Sequence, residues 1–159
     1  MKKRLGLFAV YVILLTVYGA MNADPDFVKD LTNGQKAVWM IGLLLFYTAL
    51  TWLTNKIMAF IGSIFMKLAN TREYDPAEAK DRCLNYMLIL YYAHILLLFA
   101  QKLLSLPAWT VYLNFIGIAV LFFVLVQNRK FSGAGKKIVV SIPFVAYSII
   151  DVIAMNMAG

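Results

Sequence analysis

CLNYMLILYYAHILLLFAQKLL, residues 83–104, is the stretch on which the reading of the whole chain turns. At about 1.5 Å per residue a helix of this length reaches about 33 Å, enough to cross a hydrocarbon core of about 30 Å. Lipid offers no partner to backbone N–H and C=O groups, so an apolar run of this length has to bond within itself as a helix. Its apolar residues are continuous and do not alternate as in a barrel strand. Just upstream, Asp75-Pro76-Ala77-Glu78 supplies an N-cap acid, a proline at the first helical position and an acid at the third. The helix is therefore expected to begin in water at Pro76 and run into the membrane without a break.

Four more apolar stretches accompany it, at 5–21, 37–54, 107–127 and 138–157. The chain of 159 residues is 62% hydrophobic and 14% charged, with a mean hydropathy of +0.76. A soluble domain of that size cannot hide so much apolar surface. The expectation is an all-α membrane protein, one integral membrane domain over 1–159, with five transmembrane helices. A cleaved leader is the rival reading of 1–23, but its cleavage region is poor: Met21 or Tyr18 would occupy the minus-three position. The anchor reading is preferred.

Cations set the orientation. Threading the five stretches in order puts Lys2, Lys3, Arg4, Lys56, Lys67, Arg72, Lys80, Arg82, Arg129, Lys130, Lys136 and Lys137 on one side, and Lys29, Lys36 and Lys102 on the other. The richer side is expected to be the cytoplasm, which puts the N-terminus inside and the C-terminus outside. A basic face of Lys67, Arg72, Lys80, Arg82, Arg129, Lys130, Lys136 and Lys137 suits anionic lipid headgroups. Nucleic acid is not an expected partner, because these charges are split over short segments and no recognition module is present.

The second span has more apolar sequence than it needs, since hydrophobicity resumes at Ile57 and runs to Met66. One helix over 37–67 would be about 46 Å long. Either it bends near Gly62-Ser63 and lies along the inner interface, or it protrudes into the cytoplasm. The preferred reading has helices two and three both extending inward as a long hairpin. Spans three and four turn over at Ser105-Leu106-Pro107, and 128–137 joins spans four and five. The outer loop 22–36 carries turn chemistry at Asp24-Pro25-Asp26 and Asn33-Gly34, with room for a short surface helix.

Most enzyme chemistry is absent from the chain: there is no Gly-rich phosphate loop, no His-Glu-x-x-His helix and no Gly-x-Ser-x-Gly elbow. No cofactor, metal or catalytic residue is expected, and the protein is read as non-enzymatic. Cys83, the lone cysteine, reads as an internal apolar residue, with palmitoylation the lesser alternative. Asp151 is the only acid inside a span and His94 the only histidine. Counting helical rise from the inner edge puts His94 at about 17 Å, Asp151 at about 21 Å and Asn114 at about 20 Å, one common layer. Ionisable groups at depth need a partner or water. Three readings stay open: interhelical glue, a proton relay or small polar cavity, and placement near the outer headgroups.

Facial patterns point these residues inward. Ser141, Phe144, Ser148, Asp151 and Met155 share a stripe, as do Thr110, Asn114 and Gly117. Thr48, Thr51, Asn55, Met58 and Gly62 make a third stripe, and Tyr91, His94 and Gln101 a fourth. Pro143 frees the carbonyl of Val139 and is expected to kink the last span. Trp39 and Trp109 suit the outer headgroup belt and Trp52 the inner one.

The segment FIGSIFMKLAN at 60–70, the polar connection 71–82, Asn85-Tyr86, the turn at Pro107 and FSGAGKK at 131–137 together resemble the Yip (Ypt-interacting protein) family of five-span membrane proteins. The resemblance covers about 37–157. It implies membrane-trafficking or membrane-shaping work through small GTPases and partner membrane proteins in eukaryotic members. Those members carry a larger cytoplasmic N-terminal region and Asp-Leu-Tyr-Gly-Pro-like and Tyr-Gly-x-Pro-like motifs. This chain has four residues before its first span and neither motif, so it looks like the small bacterial members, and no functional residue is carried over. The resemblance implies the plasma (inner) membrane of a prokaryote, and contacts with lipids, other membrane proteins or further copies. A small transporter or channel component using His94, Asn114 and Asp151 is the alternative.

Overall fold

In the computed structural model the described residues are 2–69, 74–127 and 133–158, and all their regular structure is helical. The elements are α1 (Lys2–Met21), α2 (Pro25–Asp30), α3 (Asn33–Ala69), α4 (Pro76–Leu104), a 3-10 segment (Ala108–Asn114), α5 (Phe115–Gln127) and α6 (Ala134–Ala158). Helices α1, α3, α4 and α6 are long and apolar enough to cross a membrane, which marks the chain as an integral membrane protein. The stretch 107–127, expected as one uniform helix, is instead the 3-10 segment continued by the 13-residue α5. Expectations that fall on Arg72, Arg129, Lys130, Phe131 and Ser132, and on the side chain of Met155, lie outside the described residues.

The chain divides into two compact units, Met1–Thr54 and Asn55–Gly159. In the first, α2 is started by Asp24, whose carboxylate accepts the Asp26 N–H at 2.9 Å, with Pro25 at the first helical position. Phe27 then meets Trp39 edge-on, with ring centroids 6.2 Å apart. Asn33-Gly34, expected as a turn, instead opens α3. The Thr32 N–H donates to Gln35 Oε1 at 2.8 Å and the Gln35 N–H to Thr32 Oγ1 at 3.4 Å. This reciprocal cap satisfies two donors at the helix start, and it outweighs the local turn preference of Asn-Gly. Thr48 also departs from expectation: it is exposed, and its hydroxyl donates to the Leu44 carbonyl within its own helix at 2.6 Å.

In the second unit α3 stays helical through Gly62-Ser63. Met58, Gly62, Met66 and Ala69 form a buried stripe on it at helical spacing. A Cβ added at Gly62 would lie 2.5 Å from Cys83 Sγ, so the missing side chain is what lets α3 and α4 approach. Asn55 pairs with Tyr91 and Gly62 with Cys83, so residue numbers fall along α4 as they rise along α3. The two helices form an antiparallel hairpin. Cys83 is fully enclosed in that seam, which leaves its thiol no access to an acyl donor.

At the start of α4, Asp75 Oδ1 accepts the N–H groups of Ala77 and Glu78 at 2.8 and 3.5 Å. Asp75→Ala is expected to cost about 1 kcal/mol, read as a lower unfolding midpoint in detergent. An unchanged midpoint would show that the cap contributes nothing. The helix ends at Ser105, whose left-handed backbone (φ 48°) turns the chain so that its N–H and that of Leu106 both reach the Gln101 carbonyl. Pro107 then starts the 3-10 segment. Gly117 of α5 meets Ala93 of α4 so closely that a Cβ there would be 2.8 Å from the alanine methyl. Leu121, Leu125, Val140, Phe144, Met87 and Ile95 complete the core.

Candidate functional site

α4 and α6 run parallel, and their ring contacts fix the register. Tyr86 meets Phe144 edge-on at 5.4 Å, and Tyr91 meets Tyr147 at 6.1 Å. The offset between partners is 58 residues and then 56, so His94 comes level with Asp151. The α6 stripe turns inward as its spacing requires: Ser141, Phe144 and Ser148 are buried, and Asp151 follows one turn later. Opposite lies the 3-10 segment, antiparallel to α4. Its Thr110 accepts a hydrogen bond from Gln101 Nε2 at 2.8 Å and donates to the Pro107 carbonyl at 2.7 Å. With that corner tied and Gly117 seated on Ala93, Asn114 is held at the level of His94 and is 4% exposed.

The three side chains meet at one atom. His94 Nδ1 lies 2.5 Å from Asp151 Oδ2, and Asn114 Nδ2 donates to the same oxygen at 2.7 Å. The His94 and Asp151 side chains retain only 12% and 16% of their exposure. One carboxylate oxygen thus joins α4, the end of the 3-10 segment and α6. A hydrogen bond at the Nδ1–Oδ2 contact needs one proton, carried by Nδ1 or by Oδ2. Among the described residues no protein group bonds the remaining polar atoms, His94 Nε2, Asn114 Oδ1 and Asp151 Oδ1, and none of the three is sealed off.

Two flanking bonds extend the polar set along α4. The Tyr91 hydroxyl donates to Asn55 Oδ1 at 3.2 Å, and Gln101 makes the corner bond to Thr110. All four residues lie on the helical stripes legible in the sequence, but a stripe does not specify its partner. The Gln101–Thr110 bond has a sequence signal in the short turn at Ser105-Leu106-Pro107, which places residues nine apart opposite each other. Asn55 with Tyr91 has none, because a separation of 36 residues is set by the hairpin register alone.

The described members of the basic face, Lys67, Lys80, Arg82, Lys136 and Lys137, gather at one end of the second unit. The antiparallel register brings Lys67 level with Glu78, and the parallel register brings Lys80 level with Lys137. They are not equivalent. Arg82 is committed to Glu78, with Nη2 at 2.8 Å and Nε at 3.3 Å, and both side chains are half-buried. Lys67 and Lys80 are exposed. No protein family, curated protein or solved structure was found to match this chain.

Proposed function

We propose that this is a non-enzymatic, five-span membrane protein that works through contacts with anionic lipids and other membrane proteins, in the manner of the Yip family that its sequence resembles. The gathering of Lys67, Lys80, Lys136 and Lys137 at one end of the second unit carries this reading. That end is assigned to the cytoplasm of a prokaryotic inner membrane, since cations retained there resist translocation. The fifth span is the 3-10 segment joined to α5. Seven residues at about 2.0 Å and thirteen at about 1.5 Å give about 33 Å, enough for the hydrocarbon core.

Single cysteines placed at Lys36 and at Gly133 in a Cys83→Ala background test the topology. A thiol reagent that cannot cross the membrane is expected to label position 36 in intact cells, and position 133 only after lysis. The reverse pattern would invert the assignment. For the lipid contact, co-purified phosphatidylglycerol is expected to fall several-fold when Lys67, Lys80, Lys136 and Lys137 are all changed to Gln. Equal retention would remove the basic end as a contact surface.

A second reading, an ion-handling transporter component, is favoured by the unbonded polar atoms at the His94–Asn114–Asp151 junction. Ion flux into proteoliposomes that Asp151→Asn abolishes without loss of folding would support it over the contact reading.

A further inference from the structure

We propose that the His94–Asn114–Asp151 junction is a proton-binding site selective against metal cations, with His94 Nε2 as the atom that takes up and releases the proton. This rests on the second reading above, that the junction handles an ion, and it names the ion.

Hard cations such as calcium and magnesium take six or more oxygen ligands. Asp151 Oδ2 is already engaged by two nitrogens, which leaves Asp151 Oδ1 and Asn114 Oδ1 as the only side-chain oxygens of the three residues still open. The Asn114 amide also turns its NH2 toward the carboxylate, so a positive dipole edge occupies the position a cation would need. Two oxygens beside an amide donor cannot replace a hydration shell. Among the described residues, no three His, Cys, Asp or Glu side chains gather to hold a metal ion.

A proton requires only one lone pair. With Nε2 bare, Nδ1–H donates to an ionised Asp151, and the junction carries one negative charge. Uptake of one proton at Nε2 forms one N–H bond, breaks none within the junction and brings its net charge to zero. The proton between Nδ1 and Oδ2 can then sit on either atom, as an imidazolium–carboxylate pair or as neutral imidazole with carboxylic acid. Asn114 donates to Oδ2 in both forms, so the helices stay tied while the charge changes. Since Nε2 is the unbonded nitrogen, it is the exchange point.

The other titratable groups on the packed elements near the junction are tyrosines and one lysine. On α4, Tyr91 donates to Asn55, and Lys102 is eight residues further on and exposed, about 12 Å by helical rise. Tyr147 of α6 packs edge-on against Tyr91. Tyr112 of the 3-10 segment is 55% exposed, and α5 carries no ionisable side chain. Among the described residues Asp151 is the carboxylate in contact with His94.

Because the chain has one histidine, labelling the full-length protein with 15N-histidine reports the junction alone. In nanodiscs, lowering the pH is expected to convert Nε2 from unprotonated to protonated while Nδ1 keeps a far-downfield hydrogen-bonded proton. Exchanging sodium for potassium, or adding magnesium, at constant pH and ionic strength is expected to leave both resonances in place. Asp151→Asn should lose the downfield Nδ1 proton. An Nε2 that never changes state, or resonances that respond to a metal cation, would overturn the proposal on wild-type protein alone, whether or not the variant folds. A proton taken up at Nε2 without any flux in proteoliposomes would uphold the site and sink the transport reading.

Discussion

Asp151→Ala is expected to lower the unfolding free energy by about 2–3 kcal/mol, seen as a reduced thermal midpoint in detergent. The loss is not one bond but two. Both Asn114 Nδ2 and His94 Nδ1 address the same carboxylate oxygen, and truncation strands both. Hydrogen bonds between membrane helices are modest, averaging about 0.6 and reaching about 1.7 kcal/mol, because the unfolded helices find other partners in lipid. Here the stranded groups are nearly enclosed, so part of their desolvation cost adds to the lost bonds. Asp151→Asn keeps an acceptor oxygen and should cost less, about 1 kcal/mol. A double-mutant cycle with Asn114→Ala reads the coupling directly, and about 1 kcal/mol of non-additivity is expected. Additive single effects would mean that the three side chains act separately.

Gly62→Ala is the second large effect, with an expected cost of about 1–3 kcal/mol from overpacking. The new methyl would sit 2.5 Å from Cys83 Sγ, and the sulfur, fully buried in the hairpin seam, has nowhere to retreat. The geometry also specifies the cure. Once Sγ is gone, the nearest neighbours are Phe144 Cζ at 3.4 Å and the Cβ of residue 83 at 3.6 Å, both ordinary contact distances. Gly62→Ala with Cys83→Ala is therefore expected to regain wild-type stability or pass it, because alanine is favoured over glycine in a helix by about 1 kcal/mol. If the pair of changes is worse than either alone, the seam is not held by this contact.

The sequence discloses α4 well, because Asp75-Pro76 and Glu78 are a local cap whose chemistry does not depend on the rest of the fold. The α6 stripe of Ser141, Phe144 and Ser148 is legible for a similar reason: one inward face at helical spacing survives in any packing. Counting rise places His94, Asn114 and Asp151 at a common depth. Depth alone does not reveal that they converge on a single oxygen, which depends on the parallel register of α4 and α6 and on where the 3-10 segment ends. That segment is itself illegible from composition, since the apolar run at 107–127 does not say how tightly it winds. Asn33-Gly34 misleads because turn propensity is judged over two residues, while the Thr32–Gln35 cap acts over four.

Helix α3 is the longest element among the described residues. It contains 37 residues and no proline, which makes it about 55 Å long. Inclined by about 40°, the steep end of the usual range, it would still rise about 42 Å, more than the oil is thick. A straight helix of this length would exceed the hydrocarbon at any ordinary tilt, and part of it would then stand clear. A thinner or thicker bilayer must then change how much emerges.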